Sequence, residues 1–401
     1  MNYRTDPRSK NQLSILGFGC MRLPHRFKQS SKFDIDKSEK LIMAAIDGGI
    51  NYFDTAFAYM NSEEVLGEVW RRNPGTREKI YLATKMPHSR CHRYEDFDRF
   101  FDIQLARLAT DYIDYYMIHN IGSSQALKRL LSLGVDKWLT AQKENGRIKQ
   151  VGFSFHGVQH EFLQMLTMYD WDFTMIQYNY MNEDYQAGRI GLQKAHEMGI
   201  AVMVMEPLLG GTLATGLPKK AQKILADANN SLSPAGWAFD WLFSQPEPTV
   251  VLSGMNNFAQ LEENMAVAAN AALEKTDGEK AAALAAIAKA VAVFREAYKI
   301  PCTECNYCLP CPQHVNIPAS FTAYNVSYAA GFTTGMMQYV VGTAMLNTKA
   351  NYSGRNCNRC GQCEKKCPQK IEIIKSLEKV TKRMEPAIIR ALVHFKGRRM
   401  R

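Results

Sequence analysis

Lys37-Ser-Glu-Lys-Leu-Ile-Met-Ala-Ala-Ile-Asp47, Gly48-Gly49, Ile50-Asn-Tyr-Phe-Asp54 is the stretch from which the fold can be read. Its first part has helical apolar spacing. The glycine pair suits a helix end that needs positive φ, and the last five residues form a short apolar run typical of a strand. The same unit recurs along residues 1–275. Candidate strands are Ile15–Cys20, Ile50–Asp54, Lys79–Lys85, Ile113–His119, Ile148–Ser154, Thr174–Tyr178, Ile200–Glu206 and Thr249–Ser253. Helical patterns such as Lys37–Asp47, Ser62–Arg72, Tyr94–Ala109 and Gln186–Met198 separate them, with Asn145-Gly146 and Gly199 again standing just before strands. Eight such alternations favour an α/β architecture, a (β/α)8 TIM barrel, over an open sheet. An open doubly wound sheet wants a third glycine and a helix after its first strand, and Leu16-Gly17-Phe18-Gly19 has neither.

Beyond the barrel pattern, Asn270–Ala297 is alanine-rich and reads as a helical connector. The expected organisation is a barrel over 1–275, a connector over 276–300, and a smaller, mainly helical ferredoxin-like domain over 301–401. Residues 312–347 contain no Asp, Glu, Lys or Arg. Asn316, Ser320, Asn325, Ser327, Gln338 and three glycines interrupt that segment, so it reads as helices packed round metal centres and not as a transmembrane span. The basic tail Lys379–Arg401 reads as a solvated helix, with membrane-surface contact as the alternative.

The 401 residues are 46% hydrophobic and 22% charged, which excludes a disordered chain and an integral membrane protein. Met1-Asn2-Tyr3-Arg4 leads into charged residues without an apolar signal segment, so the expected location is cytoplasmic. The net charge of +10 is concentrated in one place. Residues 301–401 hold 15 Lys/Arg against 5 Asp/Glu, and residues 1–300 hold 34 against 34. A basic excess often points to nucleic acid. Here the cysteines supply another reason, because eight thiolates round two cores of about +2 each add roughly −4 locally.

Those eight cysteines stand as Cys302-x₂-Cys305-x₂-Cys308-x₂-Cys311-Pro312 and Cys357-x₂-Cys360-x₂-Cys363-x₃-Cys367-Pro368. A cubane [4Fe–4S] cluster needs four thiolates from different directions, three from one run and a distant fourth. In two-cluster ferredoxins the fourth cysteine of each run ligates the other cluster. By that pattern Cys302, Cys305, Cys308 and Cys367 hold one cluster, and Cys357, Cys360, Cys363 and Cys311 the other. The first run is one residue shorter than the usual spacing. The alternative is a pair of structural zinc sites, although zinc sites usually use C-x₂-C knuckles separated by a longer loop. Cys20 and Cys91 read as ordinary buried thiols.

An acid, a base and a histidine end three candidate strands: Asp54, Lys85 and His119. Tyr59, five residues past Asp54, can fold over the mouth that strand C-termini face in a barrel. The four form an acid–base unit in which Lys85 lowers the phenol's pKa, Asp54 holds Lys85, and His119 orients the carbonyl or the phenol. Taken singly, each residue also has an ordinary reading as a cap, a solvated charge or a core histidine.

Over residues 1–270 the chain resembles the aldo/keto reductase family. The resemblance rests on Leu16-Gly-Phe-Gly-Cys-Met-Arg-Leu-Pro24, on Asp54/Tyr59/Lys85/His119, on Gln177 and Pro207-Leu208, and on Gly254-Met-Asn-Asn-Phe-Ala-Gln-Leu-Glu-Glu-Asn264. The whole chain is similar to a subgroup with a C-terminal two-cluster domain. The resemblance implies that Tyr59 gives a proton to a carbonyl while NAD(P)H delivers hydride. It implies that Ser154 and Gln177 hold the nicotinamide amide, that Gly254 opens the segment for the adenosine half, and that Glu263 and Asn264 contact adenine. Three positions depart from the family. Phe155 stands where Asn often follows the serine, and Met205 where an aromatic stacks on nicotinamide. Met255, Asn256, Asn257 and Gln260 replace the side chains that grip a 2′-phosphate, which makes NADH at least as acceptable as NADPH.

The expected function is therefore carbonyl reduction or alcohol oxidation on a small molecule, with a one-electron redox protein as a further partner and no nucleic acid. Hydride transfer moves two electrons together and a cluster takes one, which leaves room for a bound flavin although no flavin motif is visible. The alternative is an electron-transfer or partner-docking protein with an idle barrel.

Overall fold

The computed structural model describes residues 1–25, 33–272, 276–329, 331–345 and 351–386; the part of the basic tail beyond 386 lies outside them. The residues group into two compact units. The first is Met1–Pro207 with Gly236–Thr276, and the second is Leu208–Ala235 with Asp277–Arg401. The expected 1–275 grouping is thus interrupted. Residues 208–235 join the second unit because their helix Lys219–Ala228 packs along the helix Asp277–Ala297.

The first unit opens with a hairpin absent from the strand pattern, β1 (Tyr3–Thr5) and β2 (Gln12–Ser14), paired antiparallel. Eight parallel strands follow: β3 (Leu16–Gly19), β4 (Tyr52–Asp54), β5 (Tyr81–Met86), β6 (Ile113–Ile121), β7 (Ile148–Phe155), β8 (Phe173–Gln177), β9 (Ala201–Met205) and β10 (Pro248–Ser253). They close into a barrel when β10 pairs with β3. Strand ends differ from expectation by one to a few residues. Lys79, for instance, belongs to the 3₁₀ turn Arg77–Lys79 that precedes β5.

The period of two decides what fills the barrel. Tyr52, Ala83, Tyr115, Met117, Phe173, Met175, Ala201, Met203, Val250 and Leu252 form one buried interior cluster with Leu13 of the hairpin. Gly17 lies in the same layer because there is no room for more: a Cβ there would stand 2.7 Å from Val250 and 2.8 Å from Leu252. At the floor, the Tyr115 hydroxyl donates to buried Asp6 at 2.7 Å. Two residues further along each strand, the same parity brings Gly19, Asp54, Lys85, His119, Ser154, Gln177 and Met205 to the C-terminal layer.

The second unit has its own core. Helices Ile317–Ala329 and Phe332–Gly342 pack together, and Phe321, Tyr324 and Tyr339 bury with Ile300, Leu377, Val380 and Met384. Cys302, Cys308, Cys311, Cys357 and Cys363 pack against that cluster, to which the charge-free segment contributes Val315, Ile317, Phe321, Tyr324 and Tyr339. Buried Asn325 clamps the chain that enters the first run: it accepts from the Lys299 and Ile300 amides at 3.0 Å and donates to the Ile300 carbonyl at 2.7 Å. Buried Glu385 accepts from Tyr339, Ser353 and Arg355 and closes the other side. Among the described residues no helix is long and apolar enough to cross a membrane.

Candidate active site and cluster sites

Lys85 is 1% exposed, and its ammonium uses all three donors: 2.6 Å to each Asp54 oxygen and 2.7 Å to the Thr55 carbonyl. Burial pushes the Asp54 carboxyl up and the Lys85 ammonium down, and each opposes the other's shift. The same Nζ lies 4.6 Å from the centroid of the Tyr59 ring, and Tyr59 meets His119 edge-on at 5.8 Å. A cation against the ring favours negative charge that develops on the phenol, less the share that Asp54 cancels. The four residues expected to act together therefore meet, with Tyr59 half-exposed at the mouth and the ion pair beneath it.

His119 does not end its strand. The register between β6 and β7 shifts between Ile118 and Ile121, and Asn120 has φ 51°. This irregularity keeps His119 at the mouth while the strand runs on. Burial, Lys85, His156 and His88 all push the His119 imidazolium well below its usual range, so the ring is neutral near pH 7 and able to donate or accept a hydrogen bond. His88, itself pushed down to about 4 by burial, and His156 were not foreseen. His88 stands two residues past β5 and His156 directly after β7, and neither carries a spacing signal.

Ser154 and Gln177 are buried at the tops of β7 and β8. The Ser154 hydroxyl oxygen accepts from the Asn120 amide at 2.7 Å, which leaves its own proton to donate. Gly254 is exposed after β10. Glu263 is exposed on the helix Phe258–Asn270, whereas Asn264 is buried there and donates to Ser253 Oγ at 3.0 Å. Asn256, Asn257 and Gln260 are exposed and hydrogen-bonded to one another. The structure adds a cation to this segment. A Cβ on Gly254 would meet the Arg22 side chain at 3.6–3.8 Å, so the Arg22 stem lies along Gly254. That approach comes from barrel closure and has no counterpart in the local sequence.

In the second unit, Cys308 and Cys311 of the first run line one cavity together with Cys357, Cys360 and Cys363 of the second. Burial, with Cys305 and Cys367 nearby, pushes the Cys308 thiol up to about 12. Cys302 is raised in the same way, with Cys305 and Cys308 beside it. Burial pushes Cys363 up to about 11, with Cys357 close. Such thiols become thiolates only when a cation offsets burial, which is what iron supplies. Among the described residues no three His, Cys, Asp or Glu converge tightly enough to share one ion. Ligands of a cubane stand farther apart than those of a single zinc, because four irons and four sulfides lie between them. Gly210 (φ 69°) approaches the first run so closely that a Cβ would fall 2.3 Å from the Thr303 carbonyl.

Comparison with known proteins bears on both units. Residues 15–286 match the aldo/keto reductase family, and residues 301–372 match a 4Fe-4S dicluster domain. An aldo-keto reductase of Schizosaccharomyces pombe named yakc [NADP(+)] is 24% identical over 306 residues, 66% of this chain and 86% of that protein. A 6-dehydroglucose reductase of Novosphingobium aromaticivorans is 29% identical over 250 residues, 56% of this chain and 78% of that protein. A probable voltage-gated potassium channel subunit beta of Arabidopsis thaliana is 22% identical over 305 residues, 66% of this chain and 90% of that protein. Among solved structures, the holo form of AKR11C1 from Bacillus halodurans aligns with a TM-score of 0.59 at 22% identity. It covers 71% of this chain and 96% of its own, a likeness of fold.

Proposed function

The chain belongs to the aldo/keto reductase family and carries a 4Fe-4S dicluster domain, and from that premise we propose that it is an NAD(P)(H)-linked oxidoreductase acting on a small carbonyl or alcohol. The observation that carries this reading is the Lys85 ammonium, fixed by Asp54 and Thr55 and held 4.6 Å from the Tyr59 ring. Tyr59 gives its phenolic proton to the carbonyl oxygen, and Lys85 stabilises the phenolate that results. Asp54 keeps Lys85 charged inside the barrel. Neutral His119, edge-on to Tyr59, hydrogen-bonds the carbonyl oxygen and keeps it in the tyrosine's reach. Bound at the mouth, a reduced nicotinamide supplies hydride to the carbonyl carbon. Ser154 and Gln177 are suited to hold its amide, and exposed Gly254 with the Arg22 stem beside it to line the rest of the dinucleotide.

For the second unit the reading is two [4Fe–4S] clusters with crossed ligation, Cys302, Cys305, Cys308 and Cys367 for one and Cys311, Cys357, Cys360 and Cys363 for the other. The cavity shared by Cys311 and the C-terminal run supports it. Held by these thiolates, the clusters would supply one-electron transfer to or from a protein partner.

Tyr59→Phe tests the barrel. It removes one hydroxyl and keeps the ring, so turnover of the best carbonyl found in an aldehyde and ketone screen should fall about 10²–10⁴-fold while cofactor binding persists. Equal turnover by the variant and the wild type overturns the assignment. The docking reading with an idle barrel then takes its place, in keeping with the likeness to a channel subunit.

A further inference from the structure

We propose that the exposed edge of the second cysteine run docks a small acidic one-electron carrier protein, an inference that rests on the cluster reading above. Cys360 is exposed, whereas Cys367 of the other ligand set is 7% exposed. Arg359 (φ 60°) and Gly361 (φ 72°) flank Cys360 in left-handed conformations that turn the chain outward. Electron tunnelling falls off exponentially with distance, so a protein docked over exposed Cys360 serves the cluster that this thiol holds.

The charge around it is one-sided. Residues 355–370 hold Arg355, Arg359, Lys365, Lys366 and Lys370 against Glu364 alone. Glu364 is half-buried and accepts from the Ile374 amide at 2.9 Å. Arg355 is committed to buried Glu385 at 2.7 Å, and Arg359 to Glu378 at 2.8 Å. Lys365, Lys366 and Lys370 are exposed and have no ion-pair partner among the described residues, and Lys366 lines the same cavity as Cys360. A four-iron cluster with four thiolates carries about −2 when oxidised, which with Glu364 equals those three lysines in number, but the lysines are the part of that balance exposed to water. Lys366 stands at the cavity beside the thiols, and Lys365 and Lys370, its near neighbours in sequence, are exposed to water. Positive rims of this kind steer acidic partners and raise association rates by about 10–10³ at low salt. In the transfer step the reduced carrier loses one electron, the cluster goes from its 2+ to its 1+ core state, and no bond breaks and no proton moves.

The test uses full-length protein purified anaerobically, with iron and sulfide measured first, and a reduced plant-type [2Fe–2S] ferredoxin as the acidic donor. Cluster bleaching is followed by stopped flow. The second-order rate should fall as ionic strength rises from about 20 mM to about 500 mM, because the Debye length shrinks from about 20 Å to a few Å. Lys365→Glu/Lys366→Glu/Lys370→Glu should slow it at least about tenfold at low salt and match the wild type at high salt, with dithionite reduction unchanged. If that variant loses iron, the triple Lys→Gln variant carries the test and should show a smaller slowing in the same sense. Rates indifferent to salt and to both variants, with clusters intact and reducible by dithionite, overturn the docking surface alone. Wild type without iron and sulfide overturns the cluster reading and the docking surface together.

Discussion

Lys85→Met probes the pair on which the barrel's mouth is built. Methionine keeps most of the apolar stem and removes the ammonium, with its bonds of 2.6, 2.6 and 2.7 Å. Asp54, 3% exposed, is then left as a buried carboxylate with no cation. Breaking a buried ion pair from one side costs about 3–5 kcal/mol. For a barrel of this size each kcal/mol moves Tm by about 2–4 °C, so the variant should melt about 6–20 °C below the wild type. Adding Asp54→Asn removes the stranded charge, and the double variant should recover at least about 1 kcal/mol of that loss. The loss should also depend on pH. Burial already raises the Asp54 carboxyl and Lys85 restrains it, so in the variant it rises further. A carboxyl with a folded pKa above its unfolded one takes up a proton on folding. The variant's deficit is then smallest within the ordinary carboxylate range and widens as pH climbs toward the raised value. Thermal melts by circular dichroism from about pH 5 to about pH 8 read this directly. A variant that melts with the wild type at the upper pH, or a double variant less stable than Lys85→Met, refutes the reasoning.

Iron and acid-labile sulfide should each come to about eight per chain. Cys311→Ser should damage the cluster of Cys357, Cys360 and Cys363, and Cys367→Ser the cluster of Cys302, Cys305 and Cys308; electron paramagnetic resonance showing the reverse pattern means that the runs do not cross. NADH should bind at least as tightly as NADPH. A tenfold preference for NADPH, about 1.4 kcal/mol, that Arg22→Ala abolishes means that Arg22 grips the 2′-phosphate. NADH added to flavin-free protein should leave both clusters oxidised, and a prompt reduced-cluster resonance signal contradicts that.

What could be read from the sequence follows from period. The barrel, its strand-end residues and the two cysteine runs rest on local patterns: alternation of two in strands, glycines at helix ends, and cysteines three positions apart. Asp54, Lys85 and His119 were found because each is the last inward residue of its strand or close to it. Tyr59 was found because a five-residue loop has few places to go. The rest depends on closure and packing. Arg22 reaches Gly254 only because β10 pairs with β3, and no local window contains both residues. Residues 208–235 leave the barrel's unit through helix packing against 277–297, a preference that amphipathic spacing does not specify. The hairpin of β1 and β2 escaped because three-residue strands are too short to show alternation.

The two chemistries differ in how they handle electrons, and this constrains how they can be joined. A hydride carries two electrons in one step. A four-iron cluster accepts one, so splitting a hydride between two clusters requires a carrier with a stable one-electron state. In the proposed mechanism Tyr59, Lys85, Asp54 and His119 move and stabilise a proton, and none of them has such a state. Two clusters match a hydride in electron number but not in timing. Reduction of the clusters by NADH therefore depends on a flavin or a similar group, and in its absence electrons reach the clusters only from outside the chain. On the proposed docking, the exposed Cys360 edge and its lysines, without ion-pair partners among the described residues, would give such electrons an entry through the second unit. On this account, loss of Tyr59 should silence carbonyl turnover and leave ferredoxin-driven cluster reduction untouched, whereas loss of the lysines should do the opposite.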